Sequence, residues 1–178
     1  MWNDTDLPLA RLITFRCYGT WLHGDDRGST DRFHKRYRSP HIPANEKWKQ
    51  HNKRSLKSEA VSLDAEQRQS VEKAIRETCI FRQWHLHALN VRTNHVHVVV
   101  SIGTTKASRV LNAFKANATR QIREDGNWIS AHSPWADKGS ERYLWNERSV
   151  GLAIEYVIMD RAVSCLSSID PPCYRRWY

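Results

Sequence analysis

An α+β fold built on one antiparallel sheet is predicted for this chain of 178 residues by three features. Short stretches of apolar–polar alternation mark strands, and two longer stretches with apolar residues at helical spacing mark helices. The two kinds are interleaved, strand, helix, strand, strand, helix, strand, with one more helix at the end.

The first strand is read at Leu12 to Tyr18, where Ile13, Phe15 and Cys17 share one face and Thr14, Arg16 and Tyr18 the other. Gly19, Gly24 and the run Asp25 to Ser29 break the alternation, opening a basic excursion over about 24–60 with a helical turn near Glu46 to Asn52. Asp64, with Gln67 three places on, resembles a capping box. Behind it Val71, Ala74, Ile75, Thr78 and Cys79 form a helical stripe. A hairpin follows: Trp84, Leu86 and Ala88 alternate with His85, His87 and Leu89, a turn falls at Arg92 to Asn94, and Val96, Val98, Val100 and Ile102 then line one face. The second helix runs from about Lys106 to Glu124, with Ala107, Leu111, Phe114, Ala118 and Ile122 inward. After an irregular stretch containing Pro134 and Gly139, Arg142 to Trp145 reads as a short last strand. Ser149 then caps a final helix with Val150, Ile154, Val157 and Arg161 toward the core. This order is the split βαββαβ of the ferredoxin-like fold, with helices on one face of the sheet and an added C-terminal helix.

The length suits one domain, 1–178, and eight Trp, four Phe and six Tyr can fill its core. Twenty-eight Lys and Arg against 19 Asp and Glu leave a net charge of +9, which favours polyanionic partners. Nearly all of the excess lies in residues 27–57, which hold ten basic side chains against two acidic ones. The four cysteines form no C-x-x-C pair and are expected as reduced thiols. No signal-like start and no membrane-length apolar run is present, so a cytoplasmic, nucleoid-associated protein is expected.

Residues two apart on a strand point the same way, so His95 and His97 project together from the face opposite Val96 and Val98. Two convergent imidazoles are half of a divalent-metal site. His85 and His87 form a second such pair, which would share the face if Val91 lay opposite His95. The two pairs would then sit too far apart to chelate one ion, and His85 and His87 are better read as sheet-surface or DNA-contacting residues. On the last helix Tyr156 and Asp160 stand at i and i+4, a phenol above a carboxylate. A phenol with a pKa of about 10 is a poor nucleophile unless its target phosphate is polarised. A Mg²⁺ or Mn²⁺ ion held by His95, His97 and Asp160 would supply that polarisation.

The His-Val-His run preceded by Asn94, the tyrosine on the last helix and the segment Tyr-Gly-Thr-Trp-Leu-His-Gly-Asp at 18–25 resemble the HUH single-tyrosine transposases, over about residues 10–163. The long basic excursion makes the REP-associated type the nearer likeness. The resemblance implies a ferredoxin-like catalytic domain, a divalent metal on His95 and His97, Tyr156 as nucleophile, and single-stranded DNA with imperfect hairpins as substrate. Many relatives carry an amide four residues after the tyrosine, where this chain has Asp160. Relatives act either as homodimers that exchange tyrosine helices or as monomers, and both arrangements stay open. Phosphate contacts are expected from Arg16, from Arg27, Arg32, Lys35 and Arg36 in the excursion, and from Arg109, Lys115 and Arg120 on the second helix, with Trp48 or Trp135 as stacking platforms for bases. The rival reading is a non-catalytic single-stranded nucleic-acid-binding module on the same fold.

Overall fold

The computed structural model describes residues 7–25 and 43–159. Four strands, β1 (Ala10–Cys17), β2 (His85–Val91), β3 (His95–Ser101) and β4 (Trp135–Leu144), pair in the order β2-β3-β1-β4, every neighbour antiparallel. Helices α2 (Ala65–Arg82) and α3 (Ala107–Glu124) cover one face, packing Val71, Ile75, Val110, Phe114 and Ile122 onto Ile13, Phe15, Val96, Val98 and Val100. Helix α4 (Glu147–Met159) lies on the other face, where Ala153 and Val157 meet Ala10, Ala88, Val99 and Leu144. The ferredoxin-like α+β fold with its C-terminal helix is therefore present.

The helices form where their stripes predict. Asp64 accepts from the Gln67 N–H and Gln67 reaches back to the Asp64 N–H, so the capping box at the start of α2 is real. Four details differ from the sequence reading. The helical turn near 46 is a nine-residue helix, α1 (Glu46–Arg54). Gly24 packs against its first turn so closely that a Cβ would meet Asn45 O at 2.4 Å. Strand β4 starts at Trp135, not at 142: Asp137 to Ser140 have little strand propensity of their own, and pairing of Trp135, Gly139 and Ser140 with β1 extends the strand. Gly139 sits inside it, where a Cβ would stand 2.7 Å from Thr14 O. At α4 the cap is Asn146, whose side chain accepts from the Ser149 N–H while Ser149 Oγ accepts from the Asn146 N–H.

The fourth difference is one of register. Val91 lies opposite Val96 and Asn90 opposite His97, so the pairing of Val91 with His95 does not occur. A bulge between Leu86 and Ala88 inserts His87 as an extra residue. Beyond it Leu89 rather than Ala88 faces the α2/α3 layer, and Ala88 joins the α4 side. His85 and His87 stand together, with ring centroids 4.5 Å apart and His87 Nε2 2.8 Å from Ser101 Oγ.

Candidate functional site

A polar row crosses the sheet on the α4 side: Asn90, His97, Thr14 and Ser140 are successive cross-strand partners. The turn that leads into it is fixed from two directions. The Asn94 carbonyl accepts from the Cys17 N–H at 2.8 Å, and the Thr93 carbonyl from the Leu63 N–H at 2.7 Å. His95 therefore enters β3 from an anchored turn, opposite Arg16.

The two imidazoles stand together, ring centroids 4.6 Å apart, with His97 buried. Nδ1 of His95 is 2.6 Å from Asn94 Oδ1, and Nδ1 of His97 is 2.7 Å from Thr14 Oγ1. Asn94 Oδ1 accepts and the Thr14 hydroxyl is able to, and in the tautomers that carry the proton on Nδ1 each ring presents Nε2 as the donor atom a metal requires. The donor chemistry thus fits two ligands of a divalent ion. Tyr156 joins them from α4: its hydroxyl is 3.5 Å from His97 Nε2, at the outer limit of hydrogen bonding, and its ring meets the imidazole edge-on at 5.2 Å. The phenol and both histidines come from the same chain. Asp160 lies outside the described residues, as do Arg161, Arg27, Arg32, Lys35 and Arg36. Among the described residues no group of three His, Cys, Asp or Glu side chains is placed to hold a metal.

The remaining expected contacts divide. Arg16 stacks its guanidinium 3.5 Å from the Trp21 ring centroid, beside His95 in the register. Arg109 and Arg120 are exposed on α3, the latter 3.6 Å from Glu124. Lys115 is turned inward. Its ammonium donates to the carbonyls of Ala136, Asp137 and Lys138, and burial pushes its pKa down, against the pull of Asp137. It holds the start of β4 instead of facing solvent as a phosphate contact would. Trp135 is not a stacking platform either: it is buried against Phe15, with Nε1 donating to Lys115 O and Thr119 Oγ1. Trp48 is partly exposed and stacks on His23 at 5.3 Å. Cys17 and Cys79 are buried, and burial raises their pKa to about 12 and about 11, so both are unreactive thiols. Sequence reasoning missed Thr14 and Asn90, which adjoin His97 only through strand register.

Fold and site define a small antiparallel-sheet protein that presents two imidazoles and a phenol on the face away from its main helical layer. The sequence pattern of the family described as transposase IS200-like matches residues 46–148, more than half of the chain, and the chain belongs to that family. The match includes His95 and His97 and ends before Tyr156. No curated protein matches the chain. Among solved structures it is similar to a REP-associated tyrosine transposase bound to a REP hairpin, with TM-score 0.52 and 12% identity over 92% of this chain and 73% of the other. A slighter likeness, TM-score 0.44 and 10% identity over 89% and 95%, links it to a candidate transposase of Deinococcus radiodurans R1. Family membership places the chain among enzymes that process DNA. Among the described residues no helix is long and apolar enough to cross a membrane.

Proposed function

We propose that this protein is a single-tyrosine DNA nickase and strand transferase acting on single-stranded DNA with imperfect hairpins, and that residues 1–178 work as one HUH-type domain. The observation that carries the reading is the approach of Tyr156 Oη to His97 Nε2, 3.5 Å, within one chain. Tyr156 attacks the scissile phosphorus in line. A phosphorus–Oη bond forms, the bond to the 3′ oxygen breaks, the phenolic proton passes to solvent, and the departing 3′ oxygen takes a proton from solvent to become a hydroxyl. The 5′-phosphotyrosyl link conserves the diester, so rejoining by a 3′-OH needs no ATP. His95 and His97 would hold a Mg²⁺ or Mn²⁺ ion, with Asp160 as third ligand, and the ion when bound would supply positive charge that polarises the phosphate. The phenol stands over its own chain's histidines, the arrangement that a tyrosine acting in cis requires.

Binding the DNA falls to cations around this face. Arg16, stacked on Trp21, contacts the strand next to His95, and Arg27, Arg32, Lys35 and Arg36 grip phosphates from the excursion. Arg109 and Arg120 guide the backbone along α3. The REP hairpin on the similar transposase supports a hairpin substrate here, and the work would be done in the DNA-containing cytoplasm.

Incubation with end-labelled hairpin DNA and Mn²⁺ or Mg²⁺ tests the reading. A denaturation-resistant adduct lost with Tyr156→Phe and with EDTA is expected. Tight metal-independent binding with no adduct across a diverse hairpin pool would instead make the chain a non-catalytic binding module.

A further inference from the structure

The face of the sheet under α4 is mostly small and apolar, with Ala10, Ala88, Val99 and Leu144 buried there, and into it the chain places a buried amide, Asn90. A buried amide costs stability unless its hydrogen bonds are made. Asn90 makes one across to the helix: Nδ2 donates to the Val157 carbonyl at 3.0 Å. Val157 follows Tyr156 directly, and Asn90 lies directly opposite His97, whose ring touches the Tyr156 ring. One side chain therefore ties the strand pair that carries the imidazole to the turn of helix that carries the phenol.

The apolar contacts of α4 do not by themselves fix that turn. Ala153 and Val157 are its buried residues, Val150, Ile154 and Tyr156 pack beside them partly buried, and Leu152, Ile158 and Met159 are exposed, so one narrow apolar face holds the helix. A hydrogen bond to a backbone carbonyl sets both depth and rotation, which hydrophobic contact leaves loose. We infer that Asn90 is the positioning residue that holds Tyr156 over His97. This rests on the proposed strand-transferase reading for its catalytic consequence, but its structural half, the hold on α4, stands apart from it.

The test uses the full chain with Asn90→Leu, which fills the volume without a donor, and Asn90→Asp, which keeps the shape but gives the ionised side chain no proton to donate. Two readouts are taken: single-turnover adduct formation alongside hairpin affinity, and hydrogen exchange of peptides covering 147–159. A displacement of the reacting atoms on the order of an ångström costs up to ~100-fold in rate. The expected result is therefore an adduct rate at least ~10-fold lower, hairpin affinity within ~2-fold of the parent, and faster exchange confined to α4. An unchanged rate, or a rate and affinity that fall together, overturns the positioning role. Asn90→Asp guards against misfolding of Asn90→Leu. If both variants expose the strands to exchange as well as α4, Asn90 is a general core residue and the inference fails. If the parent forms no adduct on any hairpin, the strand-transferase reading fails, while the exchange arm still decides whether Asn90 holds α4. Selective loss of α4 protection upholds it and unchanged protection overturns it.

Discussion

The two faces of the sheet are built on different principles. Under α2 and α3 the strands offer Ile13, Phe15, Val96, Val98 and Val100, all buried, and two long helices interlock with them. Under α4 the central row is Asn90, His97, Thr14 and Ser140, and the apolar contact is made mainly by alanines, Val99, Leu144 and Val157. The first face supplies most of the hydrophobic stabilisation, about 1.5–3 kcal/mol for each large side chain fully buried. The second gives up part of that burial to bring polar groups together, and His97 and Tyr156 meet there. Stability and reactivity are thereby separable, one strand apart, because neighbouring residues on β3 point to opposite sides.

A pair of truncations should break that separation most visibly if it is wrong. Phe114→Ala, at the centre of the α2/α3 face, is expected to cost about 3–5 kcal/mol of unfolding free energy. Tyr156→Phe, which removes one hydroxyl at a long contact, is expected to cost no more than ~1 kcal/mol while abolishing the adduct. Thermal melts paired with adduct assays check both. A Tyr156→Phe protein as unstable as Phe114→Ala would mean that the second face is a core like the first.

Thr14 sharpens the comparison within the polar row. Its hydroxyl partners His97 Nδ1, so Thr14→Val removes the hydrogen-bond partner that orients the ring at little change in volume. A 10- to 100-fold weaker affinity for Mn²⁺ is expected, in the range seen when outer-shell partners of metal-binding histidines are lost. Titration followed by the paramagnetic signal of free Mn²⁺ reads this without any turnover, and an unchanged affinity would remove Thr14 from the site.

What the sequence disclosed and what it withheld follow the same division. The α2/α3 face was readable because its information is periodic: Val71, Ala74, Ile75, Thr78 and Cys79 report a helix by spacing alone, and all five are buried. His95 and His97 were readable because period 2 is local. The His87 bulge was not, since an extra residue has no signature in an alternating string of His, Leu and Ala, and it reassigns Ala88 and Leu89 between faces. Asn90 and Thr14 were missed because their neighbours are 67 and 83 residues away in the chain. Lys115 was misjudged for a related reason. A lysine on the polar side of a helix looks solvent-facing until the carbonyls of 136–138 arrive over it.

Lys115 and Arg120, five residues apart on α3, give a further separation. Lys115→Met is expected to lower stability by about 1–2 kcal/mol, by freeing three carbonyls at the start of β4, and to leave the salt dependence of hairpin binding unchanged. Arg120→Ala is expected to leave the melt unchanged and reduce the log–log salt slope of binding by about 1, as losing one phosphate contact does. The reverse pattern would restore Lys115 to the DNA-contacting set.

The smallest effect is expected in acid, where the two faces should titrate apart. His87, on the α4 side, has its pKa lowered from 6.5, first by burial and then by the charge of His85. Asp125, at the end of α3, has its pKa lowered from 3.8, first by the hydrogen bond from Ser70 and then by that from Gln121, with Lys73 adding to them and burial opposing. For both groups the unfolded chain binds the proton more readily than the folded one. The stability each contributes is therefore present above its unfolded pKa and lost as pH falls through the folded value. The His87 contribution goes first, from about pH 6.5 downward, and the Asp125 contribution only below about pH 4. Melting temperatures across pH 7 to 2.5 should then show two shallow acid limbs. His87→Asn should flatten the upper limb and Ser70→Ala the lower one, each leaving the other in place. A single limb removed by either substitution would mean that protons are felt across the sheet, and that its two faces are energetically one.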